Sequence, residues 1–149
     1  MGFDRPEHET YMQTPRSGLC LAVDLLRGAI DKSPSLHREL LKAAYALQTQ
    51  VTQTALANGR SKIEERLARW LLMADDRIDG DELPLTHEFL SLMLGVQRSG
   101  VTLAVQALEA DGLIAARRGR ISILKRAKLE KKSRLDYARH RAGLPPEAR

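Results

Sequence analysis

The chain has 149 residues, 24 Lys+Arg against 19 Asp+Glu, a formal net charge of +5, and 43% apolar but only 4% aromatic residues. A globular chain of this length buries roughly 70% of the surface it exposes when unfolded, so one domain, or two small ones, can hold an ordinary core without a staple. The single cysteine, Cys20, excludes an internal disulfide, no early segment has the charged start and apolar run of a secretory signal, and charges break the longest apolar stretch, Ile63 to Ala74, so the sequence reads as soluble and cytoplasmic with no membrane span.

Residues 1–18 mix polar side chains with Pro6, Pro15 and Gly18 and read as loop, with a short strand at Tyr11 to Thr14. The apolar run Gly18 to Val23 reads as a strand, and a brief helix from Asp24 to Ile30 follows, with Asp24 as its cap. Ser33-Pro34-Ser35 opens a long helix that runs to about Ala57 and stops at Asn58-Gly59. Within it Leu40, Ala44, Leu47, Val51, Thr54 and Asn58 alternate spacings of four and three, a heptad seam that asks for a partner helix. A core helix with chance heptad spacing is the alternative, since the run covers only three heptads, and a second stripe of Leu36, Leu41, Ala43 and Tyr45 would suit packing on the chain's own N-terminal segment.

Ser61 and Glu64 form a Ser-x-x-Glu box at the start of the next helix, which carries Ile63, Leu67, Trp70, Leu71 and Ala74 on one face and is expected to end near Arg77. The acidic turn from Asp75 to Glu82 follows, with Gly80 as breaker. It would repel phosphate locally.

Residues Leu83 to Leu124 carry the functional signal. Leu83-Pro84-Leu85 is extended, Thr86 caps a helix from His87 to Leu94, and Phe89, Leu90, Met93 and Leu94 give that helix an apolar face. Gly95 supplies a residue tolerant of positive φ, and a second helix runs from Arg98 to about Asp111 with Val101, Ala104, Val105 and Leu108 turned inward. Ser91 is small enough to let the two helices approach, so the pair is a helix-turn-helix. Its outward face presents Gln97, Arg98, Ser99, Thr102 and Gln106, side chains suited to base edges and phosphate oxygens, with Arg able to fork onto guanine. Gly100 inside this helix costs about 1 kcal/mol relative to Ala and is expected to loosen its first turn.

After Gly112, Leu113 to Ala116 and Ile121 to Leu124 read as two strands that enclose Arg117-Arg118-Gly119-Arg120, a hairpin tip fit to lie along a phosphate backbone. The fold class is therefore mainly α with a small β wing, a long helix followed by a winged helix-turn-helix. From Leu113 to Arg141 there are eleven Lys/Arg against Glu130 and Asp136, so the rest of the chain is mildly acidic. That is the charge footprint of a protein that meets a polyanion, although a solvated basic tail has the same composition. A short helix fits within Arg126 to Arg141.

Several patterns that look like chemistry fail on inspection. His87-Glu88 opens like a zincin helix, but the second histidine would fall at Ser91, and a calcium loop counted from Asp75 puts Arg77 third and Thr86 twelfth, where the carboxylate belongs. Cys20 lies on an apolar run without a histidine neighbour and reads as a small core residue. His8, His37, His87 and His140 lack ligand spacing, and Trp70 reads as core. No catalytic constellation, cofactor or metal site is expected.

The order and spacing of Glu64 to Leu72, Leu83 to Leu90, Leu94 to Thr102, Leu108 to Ile114 and Arg118 to Ile121 closely resemble the C-terminal half of bacterial Crp/Fnr-type transcription regulators. The resemblance is specific over residues 61 to 124 and extends more weakly back to a dimerisation helix at Pro34 to Asn58 and the last strand and short helix of a sensor domain at Gly18 to Leu26. It implies that Arg98, Ser99 and Thr102 face the major groove, that Thr86, Arg117, Arg118 and Arg120 touch phosphate, and that Leu40, Ala44, Leu47 and Val51 form a two-fold seam. Ser99 replaces an acidic residue of many members and Leu103 a base-reading Arg of some, so their site is not carried over. The family's phosphate cassette and clustered cysteines are absent, and some thirty residues stand where a β-roll of about a hundred is usual. Either a shortened regulator or a fragment of a longer product fits.

The resulting division is a sensor remnant at 1–33, a dimerisation helix at 34–59, a winged helix-turn-helix at 60–126 and a basic tail at 127–149. The expected activity is sequence-specific DNA binding as a homodimer on a pseudo-palindromic site, with double-stranded DNA, a second copy and RNA polymerase as partners. The rival expectation is an interaction module that heterodimerises with a full-length relative and modulates it.

Overall fold

The computed structural model describes residues 18–78 and 80–133. The strand expected at Tyr11 to Thr14 and the basic segment past residue 133 lie outside them. The chain divides into two units, Met1–His37 and Arg38–Arg149.

In the first unit, helix α1 spans Val23–Lys32. The strand expected at Gly18 to Val23 is not formed: residues 18–22 are irregular and Val23 opens the helix. A strand needs a neighbour to satisfy its backbone, and none of the described strands pairs here. Ala22, in extended conformation, is the N-cap, and Asp24 sits inside the first turn, where it favours the helix dipole without capping it. Cys20, expected in a core, is exposed, as are Leu19 and Leu21.

Helix α2 spans Pro34–Arg60. Ser33 opens it as anticipated: its hydroxyl accepts from Leu36 N at 3.3 Å, and Pro34 at the first position forfeits an N–H that had no helical partner. The helix continues through Asn58-Gly59 to Arg60 instead of stopping there. Thr49, Thr52 and Thr54 each return their hydroxyl proton to the carbonyl four residues back, so these polar β-branched residues are satisfied on the helix itself.

The second unit's core lies among helices α3 (Ile63–Asp75), α4 (His87–Leu94), α5 (Arg98–Ala110) and α6 (Arg126–Lys132) and the hairpin of β1 (Ile114–Arg117) and β2 (Arg120–Ile123). Leu67 and Leu71 of α3, Leu90 of α4, Val101, Val105 and Leu108 of α5, Ile114 and Ile121 of the hairpin and Leu129 of α6 are all but fully enclosed. Each helix contributes the 3.6-residue stripe its sequence carries. Trp70 is half-buried and meets Phe89 edge to face, with ring centroids 5.8 Å apart.

The box that opens α3 is one residue later than expected. Lys62 is the N-cap and its N–H is met by Glu65 Oε2 at 3.1 Å, so Glu65 plays the part assigned to Glu64. Helix α3 closes at Asp75, and its end is tied to α6 through charge: Arg126 donates to Asp75 and, at 2.6 Å, to Asp76 Oδ1, and its Nε lies 3.3 Å from Glu130. Burial lifts the Asp75 carboxyl above the usual carboxylate range against the pull of Arg126, with Asp76 adding to the lift.

The hairpin pairs Ile114 with Ile123 and Arg117 with Arg120, so β1 lies one residue later and β2 one residue earlier than the strands read from sequence, and Arg117 and Arg120 are in the ladder while Arg118 and Gly119 form the tip. Leu83, just past the acidic turn, adds an isolated antiparallel bridge to β2: Leu83 N donates to Ile121 O at 2.8 Å and Ile121 N to Leu83 O at 2.9 Å. Residues 126–133 join the packed body, with Leu129 and Ser133 buried and Lys132 Nζ 2.8 Å from Asp111 at the end of α5. Leu129→Ala is expected to cost about 2–5 kcal/mol in denaturant unfolding, the range for emptying a leucine site in a core. A side chain on a solvated tail would change stability by less than about 0.5 kcal/mol.

Candidate nucleic-acid interface

The site is built on a turn whose backbone groups are satisfied at both ends. Thr86 caps α4 by accepting from Phe89 N at 3.1 Å. At the other end Gly95 adopts φ 61°, Gly95 N donates to Leu92 O and Val96 N to Ser91 O at 3.1 Å, a Schellman closure, while the Arg66 guanidinium donates to Leu94 O. Gln97 then stands extended and α5 begins at Arg98. Gly100 has a packing role the sequence did not reveal. A Cβ there would lie 3.3 Å from Ile63 Cδ1, so the bare backbone admits α3 against the first turn of α5.

With Val101, Ala104, Val105 and Leu108 buried, the opposite face of α5 exposes Arg98, Ser99, Leu103 and Gln106. Between this helix and the wing lies an open cleft of about 650 Å³, onto which Thr86, Arg98, Thr102, Gln106, Arg117 and Arg118 all face. Six of the nine side chains singled out from sequence are thus brought together. Gln97 and Ser99 are exposed at the start of α5 but do not line it. Arg120 is drawn away: its Nη1 lies 2.6 Å from Glu82 Oε2, a pairing that the Leu83–Ile121 bridge sets up. Thr102 is also committed, since its hydroxyl donates to Arg98 O at 3.1 Å and meets His87 Nδ1 at 3.1 Å.

Three participants escaped sequence reasoning. His87 and Glu109 line the cleft, and Glu109 Oε1 accepts from Ala116 N at 2.7 Å, which fastens the wing to α5. Glu82 restrains Arg120. Each lies seven or more residues from its partner, where no helical or strand period connects them.

On α2 the seam residues divide. Leu40, Ala44, Leu47 and Val51 are exposed, Leu47 at 61% and Val51 at 54%, which leaves an apolar stripe in water. Thr54, counted with them from its spacing, is half-buried and accepts from Arg69 Nη1 at 3.0 Å, while Arg77 Nη2 donates to Gln50 Oε1 at 3.0 Å. These two bonds turn the Gln50–Thr54 edge of α2 toward α3. Among the described residues no group of three or more His, Cys, Asp or Glu is placed to hold a metal ion, and no helix is long and apolar enough to cross a membrane.

Comparison with known proteins places this geometry. Residues 65–132 match the Crp-like helix-turn-helix domain family. Among solved structures, a CRP-family transcriptional regulator from Thermus thermophilus is similar at 25% identity and a TM-score of 0.55, over 67% of this chain and 54% of that one. A protein described as a Crp/Fnr-family transcriptional regulator from Eubacterium rectale shares the fold at 23% identity and a TM-score of 0.56, over 74% of this chain and 51% of its own. The chain therefore spans about half the length of the relatives it matches. No curated protein matches it.

Gly95 holds the left-handed conformation on which the turn closes. Gly95→Ala is expected to lower stability by about 1–2 kcal/mol, because an L side chain at positive φ brings its Cβ against the backbone. Thermal unfolding monitored by circular dichroism checks this.

Proposed function

We propose that this chain, whose residues 65–132 match the Crp-like helix-turn-helix domain family, is a sequence-specific, DNA-binding transcription regulator that acts as a homodimer on a pseudo-palindromic site in the cytoplasm. The observation that carries the proposal is the cleft between α5 and the wing, where Arg98 on the helix and Arg117 and Arg118 on the hairpin face the same space. A rod of evenly spaced phosphates entering there meets cations on both walls, and the exposed start of α5 enters the major groove.

The proposed mechanism is occupancy. Arg98 forks onto a guanine, Ser99 and Gln106 reach neighbouring base edges, and Arg117 and Arg118 hold phosphate, so affinity depends on salt and preference on α5. Arg120 contributes less than its wing neighbours because Glu82 already balances its charge. The apolar stripe of Leu40, Ala44, Leu47 and Val51 supports pairing of two α2 helices, which sets two reading heads about one DNA turn apart.

The decisive experiment is selection from a randomised DNA pool with the purified chain at two salt concentrations. A two-fold-symmetric consensus is the expected result; salt-sensitive retention without any consensus would overturn sequence-specific reading. On the selected site, Arg98→Ala is expected to cost about 1–3 kcal/mol and relax the sequence preference, whereas Arg118→Ala weakens all duplexes alike and lowers the salt slope by about 1. Leu47→Asp sets like charges opposite each other in the seam and is expected to shift the chain from dimer to monomer in sedimentation, with DNA affinity falling as the half-sites uncouple.

A further inference from the structure

We propose that Leu103 selects thymine in the bound duplex by packing on its C5-methyl group, so that the exposed face of α5 reads one base of each half-site through apolar contact. The proposal rests on the DNA-binding reading above and adds to it a side chain that reading did not use.

Leu103 stands apart on its helix. The inward stripe of α5 is complete without it: Val101, Ala104, Val105 and Leu108 are buried, whereas Leu103 is 66% exposed and belongs neither to the core nor to its margin. It is the one large apolar side chain that α5 leaves in water. At about 100° per residue, Ser99, Leu103 and Gln106 fall within about 60° of one another, opposite the buried stripe. Its apolar surface leaves water only when a partner covers it, and on the face that α5 turns toward DNA that partner is the floor of the major groove.

The chemistry of that floor singles out one base. Guanine presents N7 and O6 there, cytosine its amine, adenine N7 and its amine, and thymine O4; thymine alone adds an apolar group, the C5-methyl. A leucine side chain has no donor and no acceptor. Set against a G·C pair it strips water from guanine O6 or the cytosine amine and returns no hydrogen bond, which is unfavourable. Set against the thymine methyl it removes two apolar surfaces from water at once, which is favourable. The gain on thymine and the penalty on G·C therefore act in the same direction, and preference is the difference between them. Ser99 and Gln106, on the same face, offer polar groups to neighbouring bases. The Thr102 hydroxyl is committed to Arg98 O, so it does not compete for this one. Arg98 lies more than a helical turn earlier on α5, so the thymine is a different base from the guanine assigned to it.

The test uses the full-length chain and the duplex selected from the randomised pool, with each thymine of the half-site replaced in turn by deoxyuridine, which lacks only the methyl group. At one position the replacement is expected to weaken binding by wild type about fourfold per half-site, the value of roughly one buried methyl group, and to leave Leu103→Ala unaffected. Selection repeated with Leu103→Ala is expected to lose the thymine at that position and to keep the guanine assigned to Arg98. Leu103 lies outside the core, so thermal unfolding of the variant is expected to match wild type, and the deoxyuridine series on wild type needs no variant. Equal weakening of wild type and Leu103→Ala by the same replacement assigns the effect to the duplex itself and overturns the role of Leu103. A consensus in which no deoxyuridine weakens wild type overturns it as well, and both results leave DNA binding intact. Absence of any selected consensus overturns the sequence-specific reading, and this proposal with it.

Discussion

The packing of the inner face of α5 against α3 is the constraint on which everything outward depends. Val101, Ala104, Val105 and Leu108 are removed from water together with Leu67 and Leu71. At the start of α5 the approach is close enough that Gly100 meets Ile63 with no Cβ between them. Each enclosed leucine or valine contributes about 1.5–3 kcal/mol. The inner face thereby holds the helix in one rotational setting, and the outer face is whatever remains. Ser99 and Gln106 stand outward because residues about half a helical turn away are anchored inward, and Arg98 is exposed in the first turn. The wing is then referred to the same helix by the bond from Ala116 N to Glu109.

The helical skeleton was legible in the sequence because it is written in short periods. The stripe of α5, the Thr86 cap and the glycine turn at Gly95 each depend on residues within four positions of one another, and all three appear where expected. The hairpin was legible for a similar reason, with Gly119 at positive φ between two apolar runs. What escaped depends on contacts between distant residues. Arg120 with Glu82, Arg126 with Asp75 and Asp76, and Arg69 with Thr54 all join residues far apart in sequence. No local period foretells which cation has a carboxylate waiting, so a run of arginines reads as equally available when it is not. Gly18 to Val23 failed in another way: an apolar run announces burial or pairing but does not supply the neighbour, and without one the chain turns into α1.

The Thr54 assignment shows how a heptad reading reaches its limit. Spacing alone put Thr54 in line with Leu47 and Val51, yet its position at the edge of the stripe lets Arg69 claim its oxygen. Gln50, one turn earlier on that edge, receives Arg77. The helix thus has two jobs on adjacent edges, an apolar stripe left in water and a polar edge that meets α3. The stripe accounts for the proposed pairing, and the polar edge supplies the connection through which pairing and reading would share one geometry.

The outward face of α5 has a consequence for how such a protein changes over generations. Ser99, Leu103 and Gln106 stand clear of the core, and substitutions at surface positions of this kind shift stability by no more than about 0.5 kcal/mol. Thr102 is bonded to His87, and a Cβ at Gly100 would crowd Ile63 Cδ1 at 3.3 Å, so that side chain would have to give by a few tenths of an ångström. The helix therefore separates positions that are free to drift from positions that are held. On the proposed reading, a lineage can alter what the exposed residues prefer while the scaffold keeps its stability, so preference and foldedness can be selected independently along one helix.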